Sequence, residues 1–413
     1  MNNDHRSHAK DMDLLHLQDD NPGLIFWHPM GWRLYKTIEN YMRQQHEAHG
    51  YMEIHTPSIL SRSLWETSGH WEKFREGIFV TGDISPDPQN QDFVVMDPEY
   101  CLKPMSCPAH IQIFGHVRRS YRELPMRLFE FGEVHRNETS GSLSGIMRLR
   151  EFTQDDAHIF CRKEHILGEA KNYIEMLREV YSKFGYNDVK VKLSTRPIKR
   201  AGSDEVWDAA EAMLAEACNV MGLGFEISPG EGAFYGPKLE FTLVDALGRD
   251  WQCGTFQLDF VLPVRFGLSY QHEDGAIYHS AREEHQHDQV VMIHHAVLGS
   301  MERWIGVLLE STEGRLPPWL APVQAVVCTI SEKADVYAQA VAKCLGSSFR
   351  VECDLSAEKI GAKIRKHSER KVPFILVVGE KEVAAEEVNV RALAGGSPYN
   401  AKLSDFIMKA LEW

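Results

Sequence analysis

The sequence predicts an α+β fold, a large domain built on an antiparallel sheet followed by a small α/β domain. Three observations carry this. The chain has 413 residues, enough for more than one domain. Prolines at 317, 318 and 322 interrupt it, ending helices and stiffening a connection. Before that break, candidate strands alternate apolar and polar residues, as in a sheet with one covered face. After it, short apolar strands alternate with helices, as in an α/β layer with a mainly parallel sheet. The expected divisions are an N-terminal extension over 1–20, the large domain over 21–315 and the small one over 316–413.

In the large domain, Leu34, Ile38, Tyr41 and Met42 recur at helical spacing, so 32–46 is an amphipathic helix. Gly50 stops it, and 51–55 reads as a strand ending at Pro57. Residues 126–134 and 149–160 read as strands flanking a polar turn over 137–145. A helix over 164–184 follows, then strands at 239–244, 250–258 and 290–294 and a closing helix at 298–309. Beyond the break, strands are expected at 323–330, 349–354, 373–378 and 387–393, with helices at 331–345, 357–371 and 403–411.

Composition narrows the functional class. Hydrophobic residues make up 43% and charged residues 25%, as in ordinary globular proteins. No apolar run is long enough for a membrane-spanning helix. The first residues lack the apolar stretch of a secretory signal, and eight cysteines without a CxxC pair make no disulfide framework. A cytoplasmic location is expected. A net charge of −14 argues against a general polyanion coater, while leaving room for a local basic stripe. Neither GxxxxGK[ST] nor a GxGxxG after a strand is present, so both common phosphate loops are absent.

The chemistry-bearing residues cluster in a few segments. Arg136 and Glu138 stand at the mouth of the 126–160 hairpin, and Arg148 returns with its second strand. An arginine at a strand end can hold a phosphate bidentately, and a carboxylate can accept from an exocyclic amine of a base. A solvated charged hairpin is the competing reading. The stretch GSMERW puts Glu302 and Arg303 on a helix, where an exposed ion pair would be unremarkable.

Taken together, these segments resemble the motifs of class II aminoacyl-tRNA synthetases: the helix and strand before Pro57, FGEVHRNE, and GSMERW. In order, NPGLIFWHPMGW, LWETSGHW, EYCLKPMSCPAHIQIF, FTQDDAHIF, KLSTRP, GSDEVWDAAEA, EGAFYGPKLEFTL, QCGTFQLDF, MIHHAVLGSMER and WLAPVQ resemble the threonyl-tRNA synthetase family. The resemblance runs from about residue 14 to the C-terminus. It implies a class II catalytic domain followed by an anticodon-binding domain. It also implies activation of L-threonine with ATP and transfer to tRNA(Thr), Mg2+ accompanying ATP, and a homodimer.

The resemblance further assigns one Zn2+ per chain to Cys107, His158 and His294. Three protein ligands leave an open position, the mark of a functional zinc. Asp156 would accept from the threonine hydroxyl, and Gln154 and Tyr235 would lie near the amino group. Met105 and His70 would line the pocket and the tRNA acceptor-end side. Lys238 and Gln257 would contact substrate or adenylate. Arg136 would hold the α-phosphate and carboxylate, Glu138 and Arg303 the adenine, and Arg148 would add charge stabilisation. Gln252 falls inside a motif without an assigned role. Glu382, Arg391 and Lys371 match anticodon-contacting positions, within a basic face expected at Lys359, Lys363, Arg365, Lys366, Arg370 and Lys371. A second cluster, His279, Glu283, Glu284, His285, His287 and Asp288, lies outside the motifs and is read as a solvated loop.

Departures from the pattern are Ser106 and Ala109 where Asn and Gly are usual, His295 for Arg, and Ala357 for Asn. The chain starts near the catalytic domain, so a short form without its own editing domains is expected, with editing supplied by another polypeptide. Two other readings stay open. One is a paralogue that loads an amino acid onto a different acceptor. The other is a non-catalytic regulator that binds a nucleotide or amino acid.

Overall fold

The central strands around the expected site depart from the one-covered-face alternation: every residue of Val291–Ala296 and of 157–161 is buried, so the sheet is covered on both faces there, and its register decides which side chains meet. In this computed structural model the described residues are 4–81, 84–86, 93–95, 99–245, 248–282 and 289–410. They fall into two compact units, residues 39–304 and residues 1–38 with 305–413.

Helix α1 (Pro29–Ala48) buries Leu34, Ile38 and Met42, as its spacing requires. The 51–55 strand shrinks to β1 (Met52–Glu53). Next come α2 (Cys107–Gly115), β2 (Met126–His135), β3 (Glu151–Cys161) and α3 (Ile166–Lys183). They are followed by β4 (Lys190–Ser194), α4 (Asp204–Val220), β5 (Glu226–Ser228), β6 (Lys238–Val244) and β7 (Asp250–Asp259). Strand β8 (Val291–Ala296) and helix α5 (Met301–Ser311) close the series.

These strands form one eight-stranded sheet in the order β5-β4-β6-β7-β8-β3-β2-β1. It is antiparallel from β4 to β2, with short parallel pairs at both edges. Helix α3 ties itself to the sheet by polar contacts. Tyr173 Oη donates to the Ala296 carbonyl at 3.0 Å and Tyr181 Oη to that of Val297 at 2.8 Å. Gly254 lies beneath this helix, and a Cβ there would meet Leu177 Cδ1 at 2.8 Å. The register lines up one rung across the sheet: Lys238 opposite Gln257, Gln257 opposite His294, His294 opposite His158. Cross-strand partners share a face, so four residues far apart in sequence become neighbours.

The second unit contains β9 (Ala325–Thr329), α6 (Asp335–Leu345), β10 (Val351–Asp354), α7 (Ile360–Glu369) and β11 (Phe374–Val378). After these come α8 (Glu380–Ala385), β12 (Glu387–Ala392), β13 (Tyr399–Lys402) and α9 (Leu403–Ala410). The sheet order is β10-β9-β11-β12-β13. Only β10, β9 and β11 are parallel; β12 and β13 run antiparallel. The expectation of a mainly parallel sheet is corrected here. The links over 379–386 and 393–398 are too short for the crossovers that parallel pairing needs.

Helix α7 also corrects the basic face. Lys363 is 1% exposed, and its Nζ donates to the carbonyls of Thr329 at 2.9 Å and Asp354 at 3.1 Å. Lys363 and His367 sit four residues apart on the buried side of the helix. Lys359, Arg365 and Lys366 remain exposed. Of the second histidine-rich cluster, His279 ends a short paired strand, Ile277–His279, rather than lying in a loop. Glu283, Glu284, His285, His287 and Asp288 lie outside the described residues.

Candidate active site and metal centre

Cys107 opens helix α2, His158 lies on β3 and His294 on β8. Their donor atoms all lie within 4.8 Å of one another, and all three residues are buried. His158 Nε2 and His294 Nδ1 are 3.0 Å apart, and His294 Nε2 lies 2.9 Å from Asp259 Oδ2. Asp259 accepts, so the proton on His294 sits at Nε2 and Nδ1 presents a lone pair. Burial holds His158 far below the usual imidazole range, so it is neutral and able to ligate. Burial, reinforced by Asp156 and Asp259, pushes the Cys107 thiol well up. A cation at the focus of the three would reverse that, because it stabilises the thiolate. One sulfur and two imidazole nitrogens are a donor set that suits Zn2+.

The expected substrate residues surround this cluster. Asp156 Oδ1 is 3.7 Å from His158 Nε2, and burial raises its carboxyl. Tyr235 stacks obliquely on His294 with ring centroids 5.1 Å apart, and its hydroxyl donates to Gln257 Oε1 at 3.4 Å. Gln257 Nε2 also donates to the Gly236 carbonyl at 3.4 Å. Lys238, one strand further, pairs with Glu240. Gln154 shares a β3 face with Asp156 and bridges to Ser300. Met105, two residues before Cys107, packs between two apolar clusters of this unit. His70 is 1% exposed, with Nδ1 2.8 Å from Ser68 Oγ. Burial, with His294 adding, pushes His70 down to about 3.

The charged residues of the hairpin lie close by. Arg136 Nε donates to the Pro104 carbonyl at 3.1 Å, and its guanidinium rests 5.1 Å from the Phe152 ring centre. Among the described residues, its remaining donors have no partner, which leaves them for a ligand. Arg148 grips Glu138 at 2.9 and 3.2 Å. Arg303 donates from Nε to the Met147 carbonyl at 3.0 Å and from Nη1 to that of Gln252 at 2.9 Å. Burial lowers Arg136 and Arg303, yet a guanidinium stays charged. Arg303 is close enough to add to the lowering of Arg136, and partly desolvated guanidinium groups of this kind can stabilise developing negative charge.

In the other unit, Glu382 Oε2 accepts from the Gly379 N–H at 2.9 Å, capping α8, while Arg391 projects exposed from β12. Lys371 has φ of 57° just past α7.

Sequence reasoning missed several supporting residues. Asp259 follows Gln257 by two on β7, so period-2 spacing held the signal. Glu302, for which an exposed ion pair is the competing reading, is 4% exposed; its two carboxylate oxygens each accept the Thr153 N–H at 3.1 Å. Gln252 contributes its carbonyl to Arg303, a role that no side-chain motif can announce.

Residues 93–312 match the tRNA synthetase class II core domain (G, H, P, S and T), and 324–413 the anticodon binding domain. A threonine–tRNA ligase of Thiobacillus denitrificans is 52% identical over 407 residues, covering 98% of this chain and 60% of the relative. One from Nitrosomonas europaea is 49% identical over 410 residues, covering 99% and 61%. The chain therefore spans about 60% of the length of these curated relatives. Among solved structures, the RNA binding domain of threonyl-tRNA synthetase from Cryptosporidium parvum Iowa II aligns with a TM-score of 0.89 at 39% identity. That alignment covers 99% of this chain and 98% of that one. Putative threonyl-tRNA synthetase ThrRS-1 from Aeropyrum pernix aligns at 0.82 and 30%, covering 99% and 96%.

Proposed function

Since the chain belongs to the threonyl-tRNA synthetase family, with a class II core and an anticodon-binding domain, we propose that it makes threonyl-adenylate and charges tRNA(Thr). The observation that carries the reading is the convergence of Cys107, His158 and His294 beside Asp156, Tyr235 and Gln257.

In this reading the carboxylate of L-threonine attacks the α-phosphorus of ATP in line, and pyrophosphate leaves with Mg2+. Arg136 holds the carboxylate and α-phosphate through its unengaged donors, and Arg303 and Glu138 hold the adenine. Arg148, paired to Glu138, adds positive charge where the phosphates pass. Lys238 and Gln257 contact the adenylate. Holding two reactants in attack geometry while neutralising the developing charge accounts for most of the catalysis of such a transfer. The tRNA 3′-terminal ribose then attacks the adenylate carbonyl on the side lined by His70 and Met105.

Cys107, His158 and His294 would hold zinc, which when bound supplies a Lewis-acidic open position for the threonine amino and hydroxyl groups. Asp156 accepts from that hydroxyl, and Gln154 and Tyr235 orient the amino group. Valine lacks the hydroxyl and leaves these buried polar groups unpaired, which is the stronger form of discrimination.

In the other unit, Arg391, Glu382 and Lys371 contact the anticodon. The chain works as a cytoplasmic homodimer. The strands after helix α1 leave Met52, on β1, and Ile59, on the short strand Ile59–Ser61, about half exposed, at 50% and 53%. The test is charging of purified tRNA(Thr) with labelled threonine. Acid-stable threonyl-tRNA supports the function, and ATP-dependent loading of some other acceptor in its place would favour a paralogue.

A further inference from the structure

His158 has two ring nitrogens, and only one faces His294. The other, Nδ1, lies 2.8 Å from Nδ1 of His110, with the two rings nearly perpendicular at 81° and centroids 4.5 Å apart. His110 is 0% exposed and lies three residues after Cys107 on α2, on the same helical face. Its Nε2 lies 3.3 Å from Glu130 Oε1, a charge–dipole contact rather than an in-line hydrogen bond. Glu130 is itself fully engaged. Oε1 accepts from Lys103 Nζ at 2.9 Å and from Thr56 Oγ1 at 2.8 Å, and Oε2 accepts from the Thr56 N–H at 2.8 Å. His110, Glu130 and Lys103 are each at most 1% exposed.

This chain of contacts fixes proton positions. An N···N contact of 2.8 Å contains one shared proton. The Glu130 carboxylate facing His110 Nε2 favours the proton there, which leaves His110 Nδ1 as an acceptor. His158 must then donate from Nδ1 and present a lone pair at Nε2. Asp259 imposes the matching state on His294, whose Nδ1 lone pair lies 3.0 Å away. Two lone pairs at that distance repel unless a cation lies between them. The outer contacts thus preset both imidazoles as metal ligands.

We propose that His110, held by Glu130, is a positioning residue that sets the tautomer and ring orientation of His158 for zinc. The inference rests on the zinc reading above. Neither residue belongs to the group of three donors; both act through His158. Outer partners of ligating histidines commonly govern metal affinity in this way, by about 10–100-fold.

The test is a Zn2+ titration of the metal-free full chain against a chromophoric chelator, paired with the visible spectrum of the Co2+-substituted protein. His110→Leu is expected to weaken Zn2+ binding by about 10–100-fold and to change the Co2+ band shape. His110→Asn keeps an acceptor oxygen near the Nδ1 position and should restore both readings. Glu130→Gln, which keeps side-chain volume, should weaken binding in the same direction and serves if His110→Leu does not fold. If the unmodified chain binds one Zn2+ and His110→Leu binds it equally tightly, this inference alone falls. If the unmodified chain takes no Zn2+, the zinc reading falls and this inference with it.

Discussion

The carboxylate of Asp155 accepts the Gly299 N–H at 2.8 Å and, with its other oxygen, the N–H groups of Val297 and Leu298 at 2.8 and 2.9 Å. One buried side chain on β3 thus fastens the segment that leads into α5, where Glu302 and Arg303 sit. Gly299 has φ of 77°, and a Cβ there would meet the Cys253 carbonyl oxygen at 2.6 Å, so the turn tolerates only glycine.

Asp155→Ala leaves three buried N–H groups without their acceptor. The expected loss is at least about 2–3 kcal/mol, because buried donors left unsatisfied cost their desolvation. Arg303 loses its fixed approach, so the KM for ATP should rise more than the KM for threonine. Urea unfolding and pyrophosphate-exchange kinetics check the two parts, and an unchanged ratio of the two KM values would contradict the second.

His46 is 0% exposed, stacks on Phe129 at 4.4 Å, and is held down to about 3 mainly by burial. The unfolded chain binds the proton near 6.5, so between pH 6.5 and 3 the unfolded state carries more protons and stability falls with falling pH. For this one residue the loss is about 2 kcal/mol at pH 5. His46→Leu should therefore flatten the dependence of the urea midpoint on pH across that window. An unaltered slope would show that His46 is protonated in the fold.

Met52 and Ile59 lie just after α1, and their exposure leaves room for the expected twofold interface there. Light scattering should give twice the chain mass of 47.2 kDa at micromolar concentration. Met52→Glu should shift the protein toward 47.2 kDa, and a stable monomer before substitution would refute the interface.

Arg391 is exposed on β12, in the unit that does not contain Cys107, His158 and His294. Arg391→Ala should raise the KM for tRNA(Thr) and leave threonine-dependent pyrophosphate exchange unchanged. Binding should weaken with salt, as expected where exposed cations such as Lys359, Arg365 and Lys366 meet phosphates. A double variant at Lys359 and Lys366 should reduce the salt slope, whereas Lys363→Ala should act through folding, because that ammonium is buried.

Legibility in the sequence followed the range of the interactions. The hairpin strands expected at 126–134 and 149–160 became Met126–His135 and Glu151–Cys161, because period-2 alternation is local. Strand direction in the second unit was not legible from apolar runs, and connection length settled it. Cys107, His158 and His294 have no metal-ligand spacing in the chain. Sheet register and the start of α2 bring them together, and only the family resemblance anticipated them. His110 and Lys363 show the remaining gap. Whether a polar residue on a helix faces solvent or the sheet depends on packing, and both are buried.

The most direct test of the account is amino-acid-dependent ATP–pyrophosphate exchange by the purified, zinc-loaded chain, with threonine, valine and serine in parallel. The account predicts strong exchange with threonine, measurable exchange with serine, which differs by one methyl, and little with valine. It also predicts loss of the threonine signal in Cys107→Ala. Exchange with valine equal to that with threonine, or full threonine exchange by Cys107→Ala, would contradict it.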